Sequence, residues 1–414
     1  MNIQPPSIQI ESESQAGRSV SRDKLRIGIF TDTYAPQING IAISLQLLVR
    51  GLREIGHEVT VFAPRLPDHR DSETNVYRLP ALRYMQMPPV YIAIPGTPRA
   101  TLMLRRSQFD VLHVHSPLTV GMLAYITAYF KHIPVVYTYH VSMTDYTHYL
   151  KFGSQTRPVL WATRWFSRVT TNLSDQVIVP SAKFKRILNE QHVIRPIRLI
   201  PNGIDLGNFH VSKSPGTYRR RLGLNTNQPL LVFTGRLAPE KRIDILIEAF
   251  DRIGAQYPDA HFVIAGDGNS RPQLERQAGS CKYAQRIHFL GMVARNDLPD
   301  LLHDATLFMS ASTSEVHPIA MIEAAAAGLP IVAVWDDAFE DLLVDGQNGC
   351  VTSRDVNAFS AAVCSILADD AVRQEYGRTS MELSRKFAIE TQIDALIDLY
   401  REMVDSNTSR RKIS

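Results

Sequence analysis

The chain has 414 residues, 44% apolar and 21% charged, which is ordinary globular composition and long enough for two domains with separate cores. No apolar run approaches the roughly 18 residues that span a bilayer, and three cysteines (Cys281, Cys350, Cys364) make neither a CxxC pair nor an even framework, which excludes a disulfide scaffold and fits a reducing compartment. The net charge of +4 hides an asymmetry: residues 1–205 hold 23 Lys+Arg against 14 Asp+Glu, and residues 206–414 hold 22 against 27. The first half therefore favours an anionic partner. No nucleic-acid motif is visible, so the expected partner is an anionic membrane surface.

The polar stretch 1–24 has no apolar signal core and reads as a disordered tail. LRIGIF (25–30) is a short apolar strand, TDTYAPQING a loop, and IAISLQLLVRGLREIG an amphipathic helix ending near Gly56. The strands HEVTVFAP, VYRLPA, FDVLHVHS, IPVVYTYH, DQVIVPS and IRLIPNG follow, and together they predict a first sheet. Strand–helix alternation implies parallel pairing with right-handed crossovers. The pattern restarts with PLLVFTGRL (229–237), the helix KRIDILIEAFDRIGAQY, then HFVIAGDG, RIHFLGMV, ATLFMSAS and PIVAVW. The last helix, 389–404, is strongly amphipathic. The expected organisation is α/β: a first Rossmann-like domain at 25–205, a second at 206–388, and a C-terminal helix at 389–405. Two doubly wound sheets leave a cleft lined by the C-terminal ends of their strands, where ligands bind.

The most informative stretch is Ser310–Val334, SASTSEVHPIAMIEAAAAGLPIVAV. Pro318 suits the first turn of a helix, Ile319, Ile322 and Ala326 recur at helical spacing, and Gly328 with Pro330 ends it. Glu315 lies in the loop before this helix. Glu323 lies inside it, roughly 8 Å beyond its start at about 1.5 Å per residue. Free N–H groups of the first turn favour an anion between the two carboxylates, which suits a ligand with a phosphate centre and hydroxyls at both ends, such as a nucleotide sugar. The competing reading is a buried helix with a Glu cap. Elsewhere on strand ends, Gly40 allows a backbone amide close to a ligand, and His140 can bond a sugar hydroxyl or move a proton. Arg236 and Lys241 flank a Pro-containing turn that can clamp a diphosphate. Asp267 reaches a ribose or caps the next helix. The acidic WDDAFED (335–341) is not spaced like a metal site and reads as a solvated loop.

In order and spacing, GRLAPEK, AGDG, FLGMV and SEVHPIAMIEAAAAGLP resemble the second domain of the retaining GT-B glycosyltransferases of the phosphatidylinositol mannosyltransferase and sucrose synthase-like kind. IGIFTDTYAPQINGIAISL and TYHVSMTDYTHYL look like the bacterial 1,2-diacylglycerol 3-alpha-glucosyltransferases. The resemblance covers roughly residues 25–405. It implies a hexosyltransferase moving glucose from UDP-glucose to a lipid such as diacylglycerol, acting at the inner face of the plasma membrane, with no cofactor and no metal. The alternatives are another sugar such as mannose, a polysaccharide or soluble acceptor, or, from another class, a non-catalytic nucleotide-sugar-binding protein. The resemblance also implies roles. Arg236 and Lys241 hold the donor diphosphate, Glu323 takes the ribose hydroxyls, and Glu315 contacts the transferred sugar. Gly291, Met292 and Val293 meet the base through their backbone. Gly40 approaches the diphosphate from the other domain, and His140 lies at the sugar and acceptor. Asp145 and Tyr146 fall on the acceptor side. The family often has Gly-Leu where this chain has Pro318-Ile319. Pro removes one donor, leaving the amides of His317 and Ile319 to serve the anion.

A membrane contact is expected on TRPVLWATRWFSRVTT (156–171). On a helix, Val159, Ala162, Phe166 and Val169 form one face, assigned to the core. Arg157, Trp161, Arg164 and Arg168 form another, which suits headgroup-depth insertion among anionic lipids. The competing reading is a solvated basic face with Trp161 packed on a neighbouring loop. Arg99, Arg105 and Arg106 offer a second basic patch.

Overall fold

The computed structural model describes residues 24–37, 39–67, 69, 71, 73–84, 90–140, 156–312 and 314–413. The tail and the candidate acceptor residues Asp145 and Tyr146 lie outside the described residues. The first half runs β1 (Arg26–Phe30), α1 (Gly40–Glu54), β2 (Glu58–Pro64), β3 (Val76–Leu79), β4 (Ala81–Tyr84), β5 (Val90–Ala93), α2 (Pro98–Arg106), β6 (Val111–Val114), α3 (Thr119–Lys131), β7 (Val135–Thr138), α4 (Arg157–Asn172), β8 (Gln176–Val179), α5 (Ala182–Glu190) and β9 (Ile197–Leu199). Its parallel sheet has the order β3-β2-β1-β6-β7-β8-β9, and β4 and β5 form a separate antiparallel hairpin. The strands β6, β7 and β8 are buried at every position, as both-face coverage by helices demands.

The second half contains α6 (Thr217–Arg221), β10 (Leu230–Thr234), α7 (Ile243–Gln256), β11 (His261–Ala265), α8 (Arg271–Ser280), β12 (Ile287–Gly291), α9 (Leu298–Asp304), β13 (Leu307–Ser310), α10 (Ile319–Ala326), β14 (Ile331–Val334), β15 (Gly349–Thr352), α11 (Val356–Leu367) and α12 (Asp370–Ser384). Its parallel sheet has the order β12-β11-β10-β13-β14-β15. The chain order reverses between β1 and β6 in the first sheet and between β10 and β13 in the second. Each reversal opens a crevice at the strand C-termini. The loops after β10 and β13 therefore meet at one point, which brings GRLAPEK beside SEVHPI although they are more than 70 positions apart in sequence.

The last helix, α13 (Ile389–Ile413), leaves the second domain and packs on the first. Its Ile393, Leu396, Ile397 and Tyr400 share one buried cluster with Ile27, Ile29, Leu48, Val111 and Val136. The two crossings are tied together: Ile204 N–H donates to Phe387 O and Ile389 N–H to Ile204 O, both at 2.9 Å. Gly203 is required there, since a Cβ would sit 2.5 Å from the Ile389 Cα. Among the described residues, no helix is long and apolar enough to cross a membrane.

Candidate active site

The floor of the second crevice is made by backbone. Gly235 follows β10 and Gly266 follows β11, both at positive φ, and a Cβ on Gly266 would overlap the Gly235 carbonyl oxygen at 1.8 Å. Only glycine lets the two strand ends approach this closely. Lys241 stands on the turn beyond. Its Nζ donates to Glu315 Oε1 at 2.6 Å, and both side chains are largely buried. Burial alone would raise the Glu315 pKa, but the Lys241 charge and hydrogen bond outweigh it and hold the carboxyl below its usual range. Arg236 is half exposed and pairs with Glu240 at 2.5 Å. Arginine and lysine side chains of this kind can bond a diphosphate.

The stretch before α10 differs from its expected form. Pro318 stands at the N-cap, with α10 beginning at Ile319. At φ −82° and ψ 68° it closes an inverse γ-turn, in which the Ile319 N–H donates back to His317 O at 2.9 Å. The Ile319 amide is thus spent inside the turn and is not an anion donor. Glu323 is buried within α10 and is paired with Arg295, whose guanidinium also lies over the Phe209 ring. Burial still raises the Glu323 pKa, with Arg295 offsetting part of the rise. At the end of β12, Gly291 takes φ +70°, and its carbonyl accepts the Gly266 N–H at 2.8 Å. Met292 is exposed and Val293 half-buried. Asp267 pairs with Arg271 at 3.3 Å.

The first domain closes on this site. The start of α1, capped by Asn39 Oδ1 accepting the Ala42 N–H, brings Gly40 against α10: a Cβ on Gly40 would lie 3.2 Å from Ile319 Cδ1. From α5 and the residue before it, Ser181 Oγ donates to Val316 O at 3.0 Å, and Lys183 Nζ donates to Glu315 O at 3.2 Å and to both Asp336 oxygens at 2.8 Å. Two helix starts therefore face one another beside a fixed Lys–Glu pair. This is the arrangement of a phosphate-bearing ligand held between two nucleotide-binding folds.

Two family profiles match the chain in succession, "Glycosyltransferase Family 4" over residues 38–208 and "Glycosyl transferases group 1" over residues 216–382. The chain belongs to the group 1 glycosyltransferases of GT-B fold. Among its relatives are the alpha-monoglucosyldiacylglycerol synthases of Acholeplasma laidlawii, 29% identical over 93% of this chain and 99% of that protein, and of Streptococcus pneumoniae, 27% identical over 94% and 90%. The phosphatidyl-myo-inositol mannosyltransferase of Mycolicibacterium smegmatis is 27% identical over 88% and 90%. Among solved structures, Anabaena Alr3699/HepE in complex with UDP and glucose superposes with TM-score 0.71 at 18% identity, covering 91% of this chain and 99% of that one. The sucrose-phosphate synthase of Thermosynechococcus elongatus superposes with TM-score 0.73 at 20% identity, covering 92% and 100%.

Beside the expected His140 and His317, three groups of this glycosyltransferase were not singled out from the sequence: Asp32, His113 and His115. His140 is buried and bonded through Nε2 to His115 Nδ1 at 2.7 Å. His113 stacks on His115 with ring centroids 4.0 Å apart, and its nitrogens meet Tyr400 OH and Thr138 Oγ1, each at 2.6 Å. Burial lowers these imidazole pKa values, to about 3 for His113 and about 4 for His140. His317, also buried, has no partner for either ring nitrogen among the described residues, and burial takes its pKa down to about 3. Asp32, after β1, accepts the Thr119 hydroxyl at 3.0 Å, and burial raises its pKa to about 6. The HxH spacing in VLHVHS was the available signal for His113 and His115, since alternate residues of a strand share a face.

Two expectations are corrected. WDDAFED is not a solvated loop throughout: Asp336 is buried, because it accepts Lys183 and the Ala338 N–H. The helix α4 is turned relative to its expected core face. Ala162 and Val169 are exposed, while Ser167, Thr170 and Thr171 are buried. The threonine hydroxyls are satisfied by the helix itself, Thr170 donating to Phe166 O at 2.9 Å and Thr171 to Ser167 O at 2.7 Å, so a polar face packs inward without penalty. Trp161 and Trp165, 68% and 55% exposed, stack outward with centroids 6.5 Å apart, and Arg164 and Arg168 flank them. The Arg157 side chain lies outside the described residues.

Proposed function

We propose that this glycosyltransferase moves glucose from UDP-glucose to a diacylglycerol-type lipid with retention of anomeric configuration, without a metal. The observation that carries the reading is the Lys241–Glu315 pair set between the starts of α1 and α10. A departing nucleoside diphosphate gains negative charge in the transition state. Lys241 and Arg236 would face that charge, and the N-terminal end of α10 would add the positive end of its dipole. Glu323 is buried as a carboxylate beside Arg295, which suits an acceptor for ribose hydroxyls. The choice of glucose and lipid is supported by the two alpha-monoglucosyldiacylglycerol synthases, which align over nearly the whole chain.

The lipid acceptor also agrees with the surface of the first domain. Next to α4, the outer face of α3 exposes Met122, Ile126, Tyr129 and Phe130, and the two helices are joined by Tyr125 OH donating to Thr170 O at 3.2 Å. Exposed apolar and aromatic side chains on two helices, with arginines beside those of α4, are unusual for a surface that meets only water. It suits shallow insertion into an anionic membrane, each arginine contributing about 1 kcal/mol near the surface. The deciding experiment offers radiolabelled UDP-glucose, UDP-galactose and GDP-mannose with diacylglycerol in mixed vesicles, separates the lipids, and reads the product anomer by NMR. An α-glucosyl lipid from UDP-glucose is expected. Label incorporated only from GDP-mannose, or a β-linked product, would overturn the assignment.

A further inference from the structure

His140 follows β7 and His115 follows β6, two neighbouring parallel strands of the first sheet. Their rings are stacked, 5.0 Å apart with 22° between planes, and one hydrogen bond of 2.7 Å joins His115 Nδ1 to His140 Nε2. A nitrogen–nitrogen hydrogen bond holds one proton, so one ring donates and the other accepts. The direction of that bond decides what His140 offers to a substrate.

Proton accounting separates the two directions. If His140 donated from Nε2, the His115 proton would sit on Nε2. That atom is buried and has no partner among the described residues. An unmet buried N–H costs about 1–3 kcal/mol and is the rarer kind of orphan. If His115 donates from Nδ1, its Nε2 keeps only a lone pair, which tolerates burial better, and the His140 proton moves to Nδ1. The rest of the cluster holds this arrangement. His113 packs against the His115 ring and is pinned at both nitrogens, by Thr138 from β7 and by Tyr400 from α13. Burial in this cluster also disfavours an imidazolium on any of the three rings.

We propose that His115 is a positioning residue that sets the tautomer of His140, so that His140 works as a neutral Nδ1–H donor to an oxygen of the transferred sugar and not as a base. The chemistry follows from the tautomer. A neutral imidazole with its proton on Nδ1 cannot take the acceptor's proton at that nitrogen, and its Nε2 lone pair is already engaged by His115. The acceptor proton must then go to a group other than His140. The last helix reaches this cluster through Tyr400, whose hydroxyl bonds His113, which packs on the His115 ring. The sugar contact rests on the proposed function; the tautomer does not.

The test is made on the full-length protein labelled with 15N-histidine. Long-range proton–nitrogen correlation spectra at pH 7 distinguish the two tautomers by their nitrogen shifts, and His140→Asn identifies the His140 signals by their loss. His140 is expected as the Nδ1–H form; an Nε2–H form overturns the proposal, whatever the substrate. Turnover supplies the second arm. His115→Asn keeps an N–H at the Nδ1 position and should retain turnover within about tenfold. His115→Asp presents only an acceptor, forces the proton to His140 Nε2, and should lower kcat about a hundredfold with little change in donor KM, the scale of losing one aimed donor. Equal turnover in the Asn and Asp variants would overturn the positioning role. An Nδ1–H signal in a protein that transfers a different sugar would leave the tautomer standing and refute only the functional reading.

Discussion

Replacing Lys241 by Met tests stability and chemistry at once, and the structure separates the two. The Lys241–Glu315 contact is 2.6 Å long, with the side chains 21% and 14% exposed. Removing the cation leaves Glu315 charged in a site whose burial opposes that charge. Breaking such a pair from one side costs about 3 kcal/mol, although Lys183, donating to the Glu315 carbonyl, still lends some positive potential. The double variant Lys241→Met/Glu315→Gln removes the stranded charge and should recover most of that loss. Turnover should not recover. Without the cation that faces the departing diphosphate, kcat falls about a hundredfold or more, or about 3 kcal/mol. Urea unfolding of the wild type, both single variants and the double variant gives the stability cycle, and initial rates with the active sugar nucleotide give the chemistry. A Lys241→Met enzyme within tenfold of wild-type kcat refutes the diphosphate role. A double variant no more stable than Lys241→Met refutes the pairing argument.

Burial depresses His113 and His317 to about 3 and His140 to about 4, against about 6.5 in an unfolded chain. The unfolded state binds more protons in that window, so stability is full above about pH 6.5 and falls as pH drops toward 4, by about 1.4 kcal/mol per pH unit for each histidine; a urea midpoint unchanged between pH 7.5 and 5.5 would contradict this. Activity should survive EDTA, and loss reversed by magnesium would reveal a metal requirement. Trp161→Ser/Trp165→Ser should lower sedimentation with phosphatidylglycerol vesicles while leaving nucleotide affinity intact, whereas Arg164→Gln/Arg168→Gln should reduce mainly the salt-sensitive part of that binding; unchanged sedimentation in both would reject this face as the anchor.

The two parallel sheets and the location of the crevices were readable because they follow from apolar periodicity and from the restart of the β–α pattern near Leu230. What periodicity cannot carry is the partner of a polar group. Asp336 looked solvated in WDDAFED because its cation, Lys183, lies in the other domain, more than 150 positions away. Arg295 was invisible as the companion of Glu323 because, although only 28 positions away in the same domain, it sits outside α10 and is brought there by the fold. The rotation of α4 was misjudged because Ser167, Thr170 and Thr171 count as polar in any pattern, yet their hydroxyls bond carbonyls one turn back and cost nothing to bury. The Ile319 amide was assigned outward on the assumption of a regular first turn, and the inverse γ-turn at Pro318 reversed it.

The contacts of α5 bear on how the two domains cooperate. The segment Glu315–Val316 is held by its backbone oxygens, one bonded by Lys183 and the other by Ser181, both from the first domain. Its side chain is held by Lys241 from the second. Neither domain alone therefore positions Glu315: the second supplies the charge partner and, through Asp336, accepts its backbone N–H, and the first bonds the backbone oxygens of the segment. Arg186 adds exposed pairs to Asp337 and Glu340, at 2.9 and 3.3 Å, which contribute little individually but lie on the same side of the joint. The buried Lys183–Asp336 pair is the contact whose loss would be felt, since either partner left alone is a desolvated charge. Glu315, which we propose faces the donor sugar, is thus held by contacts from both domains.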